Sequence, residues 1–184
     1  MKKTLLLLIL ALSALPAAAQ YSEFGLMLGG SKRLISHSDE EQGIGVSDDF
    51  KFDNSVKELY YSVRLDEYSR FKIKLGQITA PGAFQVNGAR VDVAKADVDH
   101  IDGIVDYRFS EPFGSTGLFA GAGLYRIDAP DQKEETNYGF SGGVNGDFPL
   151  SRRYGVVVEA AYHWVNFHYK PRYITLAAGL RISF

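Results

Sequence analysis

The sequence has no cysteine. That absence excludes disulfides, thiolate nucleophiles, cysteine metal sites and a lipoprotein anchor on a cysteine. It also lacks any apolar run of the roughly 20 residues that a membrane-spanning helix needs. Residues 5–15 form the longest such run, Leu5 to Leu15, and it is about half that length. Helical period is almost missing beyond it. An excess of positive charge is missing too: 20 Lys and Arg face 22 Asp and Glu. The balance argues against a nucleic-acid partner.

The amino terminus reads as an export signal. "MKK" is a short basic segment, the apolar run follows, and Ala17-Ala18-Ala19 offers an A-x-A cleavage site before Gln20. The expected division is residues 1–19 as a Sec signal peptide and 20–184 as one mature domain. The alternative, a membrane anchor, conflicts with the short run. An exported chain that enters a membrane without a spanning helix must do so as a closed β-barrel.

Period-two alternation supplies the strands. Eight runs carry it: 23–30, 56–66, 70–78, 100–110, 117–127, 137–148, 154–165 and 173–184. In the first, Phe24, Leu26 and Leu28 share a face; in the last, Leu176, Ala178, Leu180, Ile182 and Phe184 do. Links between runs alternate between short turns and longer polar loops. Each run approaches the roughly 9–11 residues of a tilted membrane-crossing strand. The expected fold is an all-β, eight-stranded, antiparallel up-and-down transmembrane barrel. Asn87-Gly88, flanked by alternating residues, is a two-residue hairpin signal. It predicts that the third and fourth strands continue past the membrane and turn there.

Alternation does not say which face points outward. A soluble ligand carrier puts the apolar face inside. Three features favour apolar-out. The other face carries Glu23, Glu58, Arg64, Asp66, Lys72, Lys74, His100, Asp102, Asp106, Arg108, Glu159, His163 and Arg181. A Lys or Arg facing lipid at the midplane would cost about 2–4 kcal/mol. Aromatics fall near the ends of the apolar face: Phe71, Phe109, Phe148 and Phe184 towards one rim, and Tyr61, Tyr138, Tyr162 and Trp164 towards the other. The charged face is also rich in small residues, which leaves room for long side chains in a narrow lumen.

With these features the chain resembles the small outer-membrane barrel family, the OmpA-like transmembrane domain and its OmpX-type relatives. The likeness covers the whole mature chain. Its sharpest motif is the end of the last run: Gly179, Ile182 and Phe184. The resemblance implies that the barrel-assembly machinery reads this terminal strand. It also implies outer-membrane residence, with lipid and lipopolysaccharide as surroundings. No peptidoglycan-binding domain is expected after the barrel. Eight-stranded lipid A deacylases carry a His-x-Ser dyad. His163-Trp164-Val165 and His168-Tyr169-Lys170 do not match it, and no nucleophile is evident beside His100 and Asp102. The expected protein is therefore not an enzyme and needs no cofactor.

Buried charges must be paired. Lys72 and Lys74 can meet Asp106 or Asp102, with Arg64 joining them. Glu159 can meet Arg181, and Glu23 can reach Arg181 where the barrel closes. The expected result is an electrostatic plug; the alternative is a gated pore. The first loop, with Asp39, Glu40, Glu41, Asp48, Asp49 and Asp53, matches no calcium-loop spacing. The last loop is basic, with His168, Lys170 and Arg172, and can contact lipopolysaccharide phosphates.

Overall fold

The computed structural model describes residues 22–34, 44–46, 51–80, 83–86, 89–92, 95–109, 114–128, 134–167 and 171–184. The export signal, the acidic stretch 39–43 of the first loop, Asp48, Asp49, His168 and Lys170 lie outside them.

Eleven strands form. They are β1 (Ser22–Leu34), β2 (Ile44–Val46), β3 (Lys51–Arg64), β4 (Ser69–Ala80), β5 (Ala83–Val86), β6 (Ala89–Asp92), β7 (Ala96–Phe109), β8 (Ser115–Asp128), β9 (Glu135–Pro149), β10 (Tyr154–Val165) and β11 (Arg172–Ser183). Eight of them close a barrel in the order β1-β11-β10-β9-β8-β7-β4-β3. Every neighbouring pair is antiparallel. Closure comes from β1 against β11, running from Glu23 opposite Ser183 to Leu34 opposite Arg172. The last residue is tied as well, because Phe184 N donates to Ser22 O at 3.0 Å. Closure leaves no barrel strand with an unpaired edge. Among the described residues no helix is long and apolar enough to cross a membrane.

Alternation decides what each strand presents. Outward side chains are large and apolar: Leu28 is 58% exposed and Leu180 64%. Inward side chains are charged and sealed: Lys74 and Asp106 are 0% exposed. A soluble barrel would show the reverse.

The short turns collect at one end, together with both ends of the barrel sheet. Between β3 and β4, the Asp66 carboxylate accepts from Tyr68 N at 2.8 Å, from Ser69 N at 2.7 Å and from the Ser69 hydroxyl. These donors hold its carboxyl below the usual carboxylate range. A depressed folded pKa stabilises the turn above the unfolded value, and the contribution is lost as pH falls through the folded one. Asp66→Ala should therefore loosen the turn at neutral pH and match wild type at a pH below the folded pKa. Hydrogen exchange at Tyr68 and Ser69 across that range checks it. At the same end Gly114 holds φ +148°, and a Cβ there would stand 2.8 Å from Asp147 O. Only glycine suits that position.

Two expectations need correction. The Asn87-Gly88 signal does mark a hairpin, since Val86 of β5 stands opposite Ala89 of β6. The two turn residues lie outside the described ones. The hairpin is not a prolongation of β4 and β7, however. It joins β2 in a separate three-stranded sheet, order β2-β5-β6, with Ile44 opposite Val86. The first and second long loops thus build one small sheet together. Tyr61 also belongs to the other rim. It stands opposite Phe24 and Ile73, close to the short-turn end, because the register places it near the start of β1.

Candidate functional site

The lumen holds the chemistry. Residues two apart on one strand both point inward, and the register stacks them in layers from the short-turn end upward.

The lowest layer gathers Glu23, Arg70, Arg108, Asp147 and Arg181. Arg181 Nε donates to Asp147 Oδ1 at 2.7 Å, and its Nη1 stands 3.8 Å from Glu23 Oε1. Arg70 pairs with Glu23 and lies 3.7 Å from Asp147. Arg108 donates to Asp147 Oδ2 at 2.9 Å, to Ser115 Oγ at 2.8 Å and to Asp106 Oδ2 at 3.1 Å. Asp147 thus serves three arginines. Gly155 makes room for one of them, since a Cβ there would meet Arg181 Cζ at 2.9 Å.

Above it, Lys72 Nζ stands 3.6 Å from both Asp106 Oδ2 and Glu159 Oε2. Lys74 pairs with Glu159 and stands 3.4 Å from Glu58 Oε2. Aromatic faces line the same layer: Lys72 lies 4.9 Å from the Tyr60 ring centroid, and Lys74 lies 5.2 Å from that of Phe119. Two ammonium groups thus meet three carboxylates and two π-faces, which compensates their desolvation.

The third layer is a hydrogen-bond relay. His100 Nδ1 and the Tyr125 hydroxyl each stand 3.0 Å from Asp102 Oδ2. Tyr125 Oη is also 3.0 Å from His163 Nδ1, and His163 Nε2 is 3.2 Å from Thr175 Oγ1. One proton arrangement satisfies the chain: Tyr125 donates to Asp102, His163 Nδ1–H donates to Tyr125, and Thr175 donates to His163 Nε2. The His100 and Tyr125 rings stack at 5.3 Å.

Towards the long loops the lumen turns apolar. Val56, Ile78, Val98, Val165, Phe167 and Tyr173 are buried in one cluster. Each of Val56, Val98, Val165 and Tyr173 lies two residues beyond a polar lumen residue, namely Glu58, His100, His163 and Thr175. The charged layers are thus capped by hydrocarbon on that side.

Most of the residues expected inside are there: Glu23, Glu58, Lys72, Lys74, Asp102, Asp106, Arg108, Glu159 and Arg181 are buried. Arg64 is not. It is exposed in the β3–β4 turn, donating to Asp66 O at 2.9 Å and Glu67 O at 3.1 Å. Its alternation is right, but it lies at the very end of β3, below the closed lumen. Glu159 and Arg181 do not pair either. The register sets Glu159 opposite Ala177 and Arg181 opposite Gly155, in different layers. Arg70, Asp147, Tyr125 and Thr175 escaped the sequence reading of the network. Arg70 and Asp147 had a readable signal: each lies on the inward alternation, two positions from Lys72 and Asn145.

On the outer wall, Tyr138, Phe140 and Trp164 pack together towards the long loops, with Trp164 at 6.2 Å from Tyr138 and 5.7 Å from Phe140. Tyr107 and Phe109 pair at 5.5 Å towards the short turns. Phe71 and Phe148 face outward near the same end, and Tyr162 lies below Trp164 on β10. Gly179 stands opposite Met27 and Ile182 opposite Phe24 in the closing seam.

A closed antiparallel barrel with short turns at one end, apolar side chains outside and charges inside has counterparts among solved structures. The fold is that of the small outer-membrane barrels. Neisserial surface protein A (NspA) is similar at TM-score 0.62 and 14% identity, over 89% of this chain and 96% of that one. The N-terminal β-barrel domain of Pseudomonas aeruginosa OprF is similar at TM-score 0.54 and 11% identity, over 88% and 97%. Ail, the attachment invasion locus protein of Yersinia pestis, is similar at TM-score 0.50 and 13% identity, over 89% and 98%. No protein-family model and no curated protein matches the chain.

Proposed function

We propose that the chain is an integral outer-membrane protein whose charged lumen is a closed plug and whose loops and small outer sheet meet the cell's surroundings. The observation that carries this reading is the inversion of the barrel: Leu28 and Leu180 lie open on the outside, while Lys72, Lys74 and Asp106 are sealed within. So large a continuous apolar exterior is untenable in water. In this setting the short turns and both ends of the barrel sheet lie in the periplasm and the long loops lie outside. Residues 1–19 are the Sec signal, and Gly179, Ile182 and Phe184 carry the signal for the assembly machinery. The outward aromatics form interfacial belts.

An eight-stranded lumen is just wide enough for side chains to fill. Here ion pairs span it in two layers and an apolar cap follows, which supports a plug over a pore. The role is non-enzymatic. Support for an interaction role comes from the two loops sharing one sheet, and from a similar protein named for attachment and invasion.

Purified mature protein should need detergent to stay monodisperse and should migrate differently before and after boiling. Monodispersity without detergent would overturn the membrane reading. In planar bilayers it should carry no steady current, whereas stepwise conductance would replace the plug with a channel.

A further inference from the structure

The outer wall is not uniformly convex. Across β1, β11, β10, β9 and β8 it carries an apolar concavity of about 870 Å³. One row of the register runs along it: Leu28, Ala178, Val158, Gly146 and Thr116, each opposite the next. Large and small residues alternate in that row, so the floor is low between its walls. Phe148 and Val158 close over the floor at Gly146. A Cβ at Gly146 would stand 3.1 Å from Phe148 Cε2 and 3.2 Å from Val158 Cγ2. Four strand spacings make the groove roughly 19 Å long. With strands tilted by about 35–45°, that row rises roughly 11–13 Å along the bilayer normal, within one leaflet's share of the roughly 30 Å hydrocarbon core.

The groove has a charged end. Phe148 lines it, and the β9–β10 turn directly beyond carries Arg152 and Arg153, both exposed. That turn is anchored: Ser151 Oγ accepts from Arg153 N at 3.3 Å and Tyr154 N at 3.1 Å, and Arg153 O accepts from Ser183 N at 2.7 Å. The β3–β4 turn, away from the groove, carries Asp66 and Glu67 instead. Two arginines thus stand beyond the Phe148 side of the groove, with the Phe184 carboxylate on the β11 side of the same turn.

We infer that this groove binds one anionic phospholipid of the periplasmic leaflet, with its tails along the Ala178–Gly146 row and its phosphate at Arg152 and Arg153. The inference rests on the membrane reading above, which sets the short turns in the periplasm. Lipopolysaccharide occupies the opposite leaflet and would meet the long-loop end instead.

Native mass spectrometry of the detergent-solubilised mature protein tests it, with phosphatidylglycerol, phosphatidylcholine and lipopolysaccharide added at equal concentration. A protein that stays monodisperse without detergent reveals failure of the membrane reading before any lipid is added. The wild type should retain phosphatidylglycerol in preference by about fivefold per arginine, roughly twenty-five-fold for the pair. R152Q/R153Q should lose the preference while still holding both lipids. Ala160→Phe with Ala178→Phe, which fills the groove from the lipid side, should lower both adducts. Heat-modifiable mobility confirms that each variant is folded. Equal retention of the two lipids by wild type, or an unchanged preference in R152Q/R153Q, overturns the proposal. So does preferential retention of lipopolysaccharide, or a dimer that the groove-filling variant splits with lipid adducts unaltered.

Discussion

Glu159→Ala should lower the unfolding free energy of the inserted barrel by about 3–5 kcal/mol. Glu159 is the hub of the second lumen layer. It pairs with Lys74 and stands 3.6 Å from Lys72, and both lysines are sealed from solvent. Removing the carboxylate leaves Lys74 with Glu58 at 3.4 Å and Lys72 with Asp106 at 3.6 Å. Two buried ammonium groups would then lose a shared counter-ion at once. A surface ion pair would be worth no more than about 1 kcal/mol, so the size of the loss reports the burial. Urea unfolding in detergent micelles, followed by Trp164 fluorescence, measures it. A Glu159→Leu, Lys74→Met double variant removes both charges and should lose less than the single substitution. A loss below about 1 kcal/mol in the single variant would mean that solvent reaches the layer and that the lumen is open.

Leu75→Arg should cost about 2–4 kcal/mol in a bilayer. Leu75 is 48% exposed at mid-strand on β4, between Leu59 of β3 and Ile101 of β7. Its inward neighbours on the same strand, Lys74 and Gly76, face the lumen. The same charge that is at home one residue away should be destabilising at this position. In water an outward arginine would be neutral or helpful, so the sign of the effect separates lipid from solvent. Folding yield into vesicles, compared with Leu75→Ala, reads it. An arginine variant that inserts as well as the alanine variant would contradict an outward lipid face.

The eight barrel strands and their faces were legible because alternation is a local property. Phe24, Leu26 and Leu28 declare one face of β1 without reference to any other strand. The partners of buried charges were not legible, because a narrow lumen lets long side chains pair across it. Lys74 of β4 meets Glu159 of β10, and Arg108 of β7 meets Asp147 of β9, though neither pair of strands is adjacent. Neighbour-strand reasoning pairs Glu159 with Arg181 instead, and only the register shows that they occupy different layers. Arg64 has the right parity but the wrong depth. Asn87-Gly88 announced its turn, since turn chemistry is local, yet the sheet it joins depends on β2, some forty residues earlier in the chain.

The central claim is that the outward face of this barrel lies in lipid, and the single tryptophan reads it without any substitution. Trp164 projects from the outer wall near the long-loop end, beside Tyr138 and Phe140. The mature protein is refolded into vesicles whose acyl chains carry bromine at defined depths. Quenching of Trp164 should be strong for bromine near the headgroups and weaker for bromine near the bilayer centre, as an interfacial ring requires. Absence of quenching at every depth would contradict the account.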